Sequence, residues 1–434
     1  MLAGVGALAA AAIGGAWTLD AQVTLRLTSV PASTPSGAPI FVAGSFNRWN
    51  PGDSAFRLMP GASGEYALTL ADSIRGPVEF KFTLGSWERG EVDASGGGVG
   101  NRRFVIPATG AAEYTGAVAG WQDPAKLPPK VHTASASVSV VRESFAMPQL
   151  GRTRRVWIYL PPDYARSTGR YPVLYMHDGQ NVFDAFYGFA GEWGVDETLD
   201  SLHARGDRGV IVVAVDNGES HRLDEYSPWR NVRYGGGEGE AYVDFLVKTL
   251  KPYVDGRYRT RPGRLDTGVA GSSMGGLISL YAVLKHPDVF GRAMVFSPSL
   301  WFSPAVFDLA RAARPVRPDP RIYFLMGGRE GDTPDAAVAD QRRMIGTLAA
   351  AGFRVGVEVD SVVRADGMHS EWFWRREFPA AYRWLFADRA APAPHRACAI
   401  APRRAGDRNA ARPRTSAGAS GVPHRPSQGA PCAG

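Results

Sequence analysis

Residues 266–287 read DTGVAGSSMGGLISLYAVLKHP, and this stretch decides the fold. A short apolar run, TGVA, leads into GSSMG, the one G-x-S-x-G pattern of the chain, and a run with helical spacing follows directly. A strand, a sharp turn of small residues and a helix are typical of a nucleophile elbow, in which a strained turn presents the serine hydroxyl. The stretch therefore predicts an α/β-hydrolase fold with Ser273 as the nucleophile.

The chain around the elbow alternates apolar runs with amphipathic runs from about residue 139 to 387. The strand candidates are RVWIYLPP, PVLYMHD, GVIVVAVDN, DTGVAG, RAMVFSP, RIYFLMGG and RVGVEVDSVV. The helix candidates are GEWGVDETLDSLHAR, GEAYVDFLVKTLKPYVDGRY, GGLISLYAVLKHP, DAAVADQRRMIGTLAAAG and EWFWRREFPAAYRWLF. This alternation is typical of a mostly parallel sheet covered by helices. We expect an α/β-hydrolase domain over residues 139–387.

A small all-β domain is expected in front of it, over residues 21–121. Six short alternating runs are separated by turn residues: QVTLRLTSV, APIFVAGSF, EYALTLA, PVEFKFTLGSW, RRFVIP and AEYTGAVAGW. Such spacing is typical of an antiparallel, immunoglobulin-like β-sandwich. Residues 122–138 are rich in Pro, Lys, Ala and Ser, which predicts a linker between the two domains.

The C-terminal tail, residues 388–434, carries most of the charge of the chain. It contains eight Arg and two Asp, so it accounts for +6 of the formal net charge of +7. Because the tail lacks periodicity and aromatic residues, we expect it to be disordered. The remainder is nearly neutral and the tail has no Lys clusters, so we expect no nucleic-acid partner. Both cysteines lie in the tail, which leaves the predicted domains without a cysteine metal site or disulfide.

The first residues, MLAGVGALAAAAIGGAW, form an apolar run. The run is long enough for a signal-peptide core and too short for a transmembrane span, but no basic residue precedes it. Two expectations for residues 1–20 stay open: a signal-like segment of a secreted or periplasmic protein, or an ordinary buried segment of a cytoplasmic one. No other stretch is apolar enough to predict a membrane span.

A serine hydroxyl becomes a good nucleophile only when a histidine takes its proton, and a carboxylate orients that histidine. In this fold the order along the chain is serine, acid, histidine. His369 follows the last predicted strand, and Glu330 and Asp332 follow the strand before it. We expect His369 to be the general base and Glu330 to be the acid, with Asp332 as the alternative.

Backbone N–H groups must stabilise the oxyanion that forms during acyl transfer. Met274 follows the nucleophile and is expected to supply one of them. The turn MHDGQN is expected to supply the other, from Gly179 or Gln180. Trp229, Trp301 and Trp372 come near predicted strand ends, so we expect them to line the acyl or leaving-group pocket; core packing is the alternative for each.

The second domain resembles the esterase D or putative-esterase family, which includes feruloyl and enterochelin esterase-like hydrolases. The resemblance rests on VWIYLPPDY, YPVLYMHDGQNVFD, GEWGVDETLD, EYSPW, VAGSSMGGLISLYAVLKHPDVFGRAMVFSPSLWF, GGRE and GMHSEWFW. It implies an acyl-enzyme mechanism on a small-molecule or glycan-linked ester, without a metal or organic cofactor. GMHSEWFW departs from the family, because many relatives have an Asn after the histidine.

The first domain resembles starch-binding and glycogen-binding modules, through VAGSFNRWNP, EFKFTLGSWERGEVD and GNRRF. Trp49 and Trp87 fall where such modules place sugar-stacking tryptophans, Lys81 matches their hydrogen-bonding lysine, and Asn101 begins a similar N-R pair. The resemblance implies a polysaccharide partner, since indole faces stack on the apolar faces of sugar rings. A sandwich that only positions the esterase is the alternative.

The sequence as a whole predicts a serine carboxylic ester hydrolase acting on carbohydrate-linked or bulky polar esters. Two other functions stay open at this point. One is an acyltransferase that passes the acyl group to a sugar, and the other is a non-catalytic glycan-binding protein with a decayed hydrolase domain.

Overall fold

The computed structural model describes residues 22–386, apart from 62–63, 128, 189–190, 319 and 332. The apolar segment over residues 1–20, the basic tail over residues 388–434 and the alternative acid Asp332 lie outside the described residues.

The first part of the described chain is all-β. Its strands are β1 Val23–Ser29, β2 Ile40–Gly44, β3 Arg57–Pro60, β4 Tyr66–Leu70, β5 Gly76–Thr83, β6 Glu91–Val92, β7 Arg102–Ile106, β8 Ala112–Ala117 and β9 Gly120–Trp121. Seven of these form the sheet order β7-β5-β2-β3-β4-β1-β8, while β6 and β9 pair with each other. Strand β3 joins the two halves because it pairs with both β2 and β4.

Alternation along the strands builds the core between these halves. Every second residue of β1 and of β5 is buried, and the two sets meet in one apolar cluster: Val23, Leu25, Leu27, Val78, Phe80 and Phe82. Outward residues between them stay partly or fully accessible, as expected for strands with one face on the core. The expected small all-β fold is confirmed; its pairing is antiparallel except between β1 and β8.

The strands of the second part are β10 Val138–Met147, β11 Arg152–Tyr159, β12 Val173–Met176, β13 Ile211–Val215, β14 Arg230–Asn231, β15 Gly235–Gly236, β16 Thr267–Ser272, β17 Arg292–Phe296, β18 Arg321–Gly327 and β19 Val359–Arg364. Eight of them form a sheet in the order β10-β11-β13-β12-β16-β17-β18-β19, and β14 pairs with β15. Strand β11 pairs antiparallel with both β10 and β13, and all later neighbours, from β13–β12 onward, pair parallel, which confirms the expected mostly parallel sheet.

The helices are α1 Val195–His203, α2 Arg222–Glu225, α3 Gly239–Phe245, α4 Lys251–Arg257, α5 Met274–Lys285, α6 Ala305–Ala312, α7 Pro334–Ala350 and α8 Glu371–Phe386, and a π-helical turn, Leu246–Leu250, joins α3 to α4. Apolar residues of α3, α5, α6 and α7 belong to one buried cluster, and those of α1 and α8 belong to another. Helices therefore cover both faces of the sheet, and the expected α/β-hydrolase fold is confirmed.

The second half of the expected linker, residues 132–137, is hydrogen-bonded to the α/β domain. The Thr133 N–H donates to Asp184 at 3.1 Å, and the Ser135 N–H donates to Asp196 at 2.6 Å. The imidazole of His132 stacks on the ring of Phe186 with centroids 4.0 Å apart. These contacts hold the segment along the loop that precedes α1.

The sandwich also contacts the α/β domain through the segment around α2 and β14. Arg48 forms an ion pair with Asp224 at 3.4 Å, and the Arg233 guanidinium donates to the Ser45 hydroxyl at 3.1 Å. Within the described ranges, no helix is long and apolar enough to cross a membrane.

Candidate active site

Ser273 lies between β16 and α5 with φ 59° and ψ −122°, a backbone conformation that L-residues seldom adopt. The turn can close only because its neighbours are small. A Cβ on Gly271 would stand 2.8 Å from the carbonyl carbon of Gly275, well inside van der Waals contact. This is the strained strand-to-helix turn expected of a nucleophile elbow.

His369 and Glu330 are in direct contact. The His369 Nδ1 lies 2.8 Å from Glu330 Oε2, and Glu330 is buried at 5% exposure. Glu330 follows β18 and His369 follows β19, so both lie at the carboxyl edge of the parallel strands, where Ser273 follows β16. Ser273 and His369 line the same cleft, and the Ser273 Oγ lies 3.3 Å from the Ser299 Oγ.

Two residues that the sequence did not point to, Ser297 and Gly327, donate hydrogen bonds to the Glu330 oxygen that does not contact His369. The Ser297 hydroxyl donates to Glu330 Oε1 at 2.5 Å, and the Gly327 N–H donates to the same oxygen at 2.7 Å. Trp374 in turn donates its indole N–H to Ser297 at 2.9 Å, and its ring stands edge-on to the His369 ring at 5.1 Å. The carboxylate and the imidazole are thus both fixed by neighbours.

The expected oxyanion segment follows β12. Asp178 has φ 56°, and residues Gly179–Asn181 form a single 3₁₀ turn. Gln180 lines the cleft with Ser273, and its Oε1 accepts the Asn217 N–H at 3.1 Å. Gly179 is buried against the end of β13, and Met274 is the first residue of α5.

The Asp178 carboxylate anchors this segment through Arg222 on α2. The guanidinium donates to both carboxylate oxygens, at 2.6 and 2.8 Å, and the Asn217 amide donates at 2.7 Å. Burial by itself would raise the pKa of Asp178, but the Arg222 charge and these hydrogen bonds lower it below its usual value. Burial also lowers the pKa of the neighbouring His177 to about 3, so this imidazole is neutral at pH 7.

The cleft has a volume of about 270 Å³. Its described wall consists of the elbow residues Ser272 and Ser273, of His369, of two indoles and of polar side chains: His177, Asp178, Gln180, Asn181, Trp193, Asn217, Arg222, Glu371 and Trp374. The wall is therefore mostly polar, and its two indoles are themselves largely buried.

The three tryptophans expected to line this pocket are placed elsewhere. Trp229 packs edge-on against Tyr281, and Trp301 is 59% exposed beside Tyr234. Trp372 is 47% exposed, and it lies on the opposite side of α8 from Trp374 because two residues along a helix are rotated by roughly 200°. The indoles in the cleft wall are those of Trp193 and Trp374.

In the sandwich, the structure brings Trp49 and Trp87 together with ring centroids 6.3 Å apart. Both are partly accessible. Lys81 lies on the outward face of β5 with Glu79, and Asn101 donates to Glu79 at 3.2 Å. The two tryptophans thus form a pair, and Asn101 contacts Glu79 on the face of β5 that also carries Lys81.

One group of side chains within the described residues has the composition of a metal site. The possible ligand atoms of His221, Asp224 and Glu238 lie within 4.8 Å of one another. However, Arg152 donates to both oxygens of Glu238, and Asp224 pairs with Arg48. These guanidinium groups already neutralise the carboxylates, so the group does not favour a cation.

Residues 147–385, more than half of the chain, match the family described as putative esterase. The chain belongs to the putative esterase family. It is therefore an esterase that hydrolyses esters, and the resemblance found in the sequence is confirmed. The uncharacterized protein YbbA of Bacillus subtilis is 27% identical to this esterase over 247 residues, which are 54% of this chain and 92% of that protein.

Two further relatives match parts of the esterase. An endo-1,4-beta-xylanase/feruloyl esterase of Xylanibacter ruminicola is 23% identical over 242 residues, 55% of this chain and 30% of that protein. An alpha-amylase of Niallia circulans is 44% identical over 102 residues, 24% of this chain and 8% of that protein. The second match agrees with the resemblance of the N-terminal sheet to carbohydrate-binding modules. In both cases the chain spans less than a third of the relative.

Proposed function

We propose that this esterase is a serine carboxylic ester hydrolase with Ser273 as nucleophile, His369 as general base and Glu330 as the acid that orients it. The observation that carries the proposal is the 2.8 Å contact between His369 Nδ1 and Glu330 Oε2, with His369 and Ser273 in the wall of one cleft. A carboxylate on Nδ1 leaves Nε2 as the nitrogen that takes the serine proton.

The reaction proceeds in two steps. In the first, His369 removes the proton from the Ser273 hydroxyl as its oxygen attacks the ester carbonyl, and the proton passes to the alcohol that leaves. The acyl group remains on Ser273. In the second step, His369 removes a proton from water as the water oxygen attacks the acyl carbon; the bond from that carbon to Ser273 Oγ then breaks, His369 returns the proton to Oγ, and the carboxylic acid is released.

Both tetrahedral intermediates carry a negative oxygen that needs donors. The Met274 N–H at the start of α5 supplies one, and the N–H of Gly179 or Gln180 supplies the other. The Asp178–Arg222 pair keeps the second segment in place. Because Glu330 is itself hydrogen-bonded by Ser297 and Gly327, its charge stays directed at the imidazolium that forms in each step.

The substrate that we propose is an ester linked to a carbohydrate or another bulky polar group, with the sandwich holding a polysaccharide. Three observations support it: the polar wall with two indoles, the Trp49–Trp87 pair and the similarity to parts of a feruloyl esterase and an alpha-amylase. A module that binds the polymer raises the local concentration of its esters at the cleft.

The direct test is hydrolysis of a soluble aryl ester by Ser273→Ala and Glu330→Gln. We expect Ser273→Ala to lose nearly all activity and Glu330→Gln to lose roughly 10³- to 10⁴-fold in kcat, with Asp332→Asn close to the parent. Activity of Ser273→Ala within tenfold of the parent would exclude the proposed nucleophile. Turnover that depended strictly on an added sugar would indicate acyl transfer instead of hydrolysis.

A further inference from the structure

Glu371 lies in the wall of the cleft and has no part in the mechanism proposed above. It is the first residue of α8, two positions after His369, and it is only 8% exposed. Its Oε1 accepts a hydrogen bond from the Asn181 amide at 3.3 Å. The side chain is therefore a buried carboxylate next to the reacting groups.

The charges in the described wall of the cleft are unequal. Asp178 and Glu371 contribute two carboxylates, and Arg222 contributes the one guanidinium. Arg222 is bound through two nitrogens to Asp178, so these two charges largely cancel at short range. Among the described residues Glu371 forms no direct ion pair. Burial raises the pKa of its carboxyl above the usual value and the charge of Asp178 adds to this, while the more distant His369 and Arg222 offset it only in part.

The other polar groups of the wall are uncharged at pH 7 or serve the catalytic step. Gln180, Asn181 and Asn217 present amides, which donate to and accept from hydroxyl groups. Trp193 and Trp374 also border the cleft, although both indoles are largely buried and pack on each other. A neutral substrate rich in hydroxyl groups finds partners here, whereas a substrate carboxylate is repelled by the carboxylate of Glu371.

We propose that Glu371 is the specificity-determining residue of this cleft. Its carboxylate accepts hydrogen bonds from the hydroxyl groups of neutral esters and repels esters that carry a carboxylate. The inference rests on the proposed function, because it assigns a substrate class to the cleft that contains Ser273. The cleft would then select among carboxylic esters by their charge. The selecting residue, Glu371, begins α8 two positions after His369.

Two pairs of esters test it. Para-nitrophenyl butyrate and para-nitrophenyl hemisuccinate differ by a carboxylate at the end of the acyl chain, and phenyl acetate and para-carboxyphenyl acetate differ by one on the leaving group. For each pair, the ratio of kcat/KM for the neutral ester to that for the anionic ester is measured at about pH 8, where carboxyl groups are ionised. We expect Glu371→Gln to lower this ratio roughly tenfold in at least one pair, the value from Coulomb's law at about 6 Å and an effective dielectric constant of about 40.

Two variants separate a local effect from loss of structure or of general charge. Glu371→Asp keeps the charge and should keep the ratio, and Glu240→Gln removes one exposed carboxylate of α3 and should leave the ratio unchanged. A ratio that Glu371→Gln leaves unchanged in both pairs would overturn the inference. A neutral ester turned over equally well by Ser273→Ala would instead overturn the proposed function, so the two failures are distinguishable.

Discussion

The Ser297 hydroxyl donates to Glu330 Oε1 at 2.5 Å, opposite the oxygen that contacts His369. Ser297 follows β17 and Glu330 follows β18, two parallel neighbours in the sheet. The carboxylate of Glu330, which we propose orients the base, is therefore held by a residue of the adjacent strand end as well as by its own turn. Its other oxygen, Oε2, contacts the His369 imidazole.

Ser297→Ala should lower kcat/KM roughly 10- to 100-fold, because a buried hydrogen bond to a charged group contributes about 1.5–3 kcal/mol. Glu330 would keep the Gly327 N–H but would be free to rotate away from His369. Steady-state kinetics on an aryl ester measures the loss. The matched control is Ser303→Ala, a buried serine whose Oγ accepts the Ala305 N–H at 3.3 Å outside this network. Equal kinetics for the two variants would contradict the role of Ser297.

Gly179→Ala should lower kcat roughly 10²- to 10³-fold, the usual cost of losing one oxyanion donor. A Cβ at Gly179 would stand 2.8 Å from backbone atoms of Val215 and Asp216, so the turn after β12 must move. The control is Gly346→Ala, where the added methyl group meets no described atom within 4 Å outside its own stretch of α7, so the helix should gain slightly in stability. Unchanged kcat in Gly179→Ala would place the second donor elsewhere.

The strand ends could be predicted from sequence because apolar runs and the residues after them are local features. The sequence predicts Ser273, Glu330 and His369 as the catalytic set in this way, since each follows an apolar run in the order that the fold requires, and the structure brings Glu330 and His369 into contact. Ser297 also follows such a run, FSPS after RAMVF, but a serine at that point gives no sign of its partner. The contact between Ser297 and Glu330 exists because β17 and β18 are neighbours in the sheet, which the sequence does not show.

Side-chain direction was the part that the sequence could not supply. Trp372 and Trp374 both follow His369, yet the helix turns one to solvent and the other to the cleft. Arg222 precedes the nucleophile by about fifty residues, and no local pattern connects it to Asp178. The predicted strand RVGVEVDSVV forms only from Val359, because the preceding Glu358 accepts the Arg354 backbone N–H in a turn.

Trp49→Ala and Trp87→Ala should each abolish retention of the protein on an insoluble α-glucan. Both tryptophans are partly accessible, so the variants should not lose the roughly 3–5 kcal/mol expected for a fully buried aromatic residue. The control is Trp121→Ala, whose indole donates to Thr34 at 2.8 Å and packs against the sandwich core. Trp121→Ala should lower the melting temperature and leave retention on the glucan nearly unchanged. The opposite pattern would make the Trp49–Trp87 pair a structural contact.

The stability of the protein should fall between about pH 4.5 and pH 7 in part through Glu197. Burial and the charge of Asp196 raise the pKa of Glu197 to about 7 from an ordinary value of 4.5. The folded state thus binds this proton more tightly than the unfolded state, and the stabilisation is complete below pH 4.5 and lost as the pH rises through 7.

Glu197→Gln cannot ionise, so its melting temperature should decrease less than that of the parent over this pH range. The control is Glu240→Gln. Both variants remove a carboxylate from the first turn of a helix, α1 for Glu197 and α3 for Glu240, but the Glu240 carboxylate is exposed. Melting curves of the three proteins across the range measure the effect. Parallel curves for parent and Glu197→Gln would contradict it.

The nucleophile itself can be identified by reaction with a fluorophosphonate, which phosphonylates an activated serine and releases fluoride. Mass spectrometry of the labelled protein should find one adduct, on the peptide that contains the GSSMG elbow and at Ser273. Labelling should be lost in Ser273→Ala and strongly slowed in Glu330→Gln, because the acid acts through His369. An adduct on another residue, or undiminished labelling of Ser273→Ala, would contradict the account.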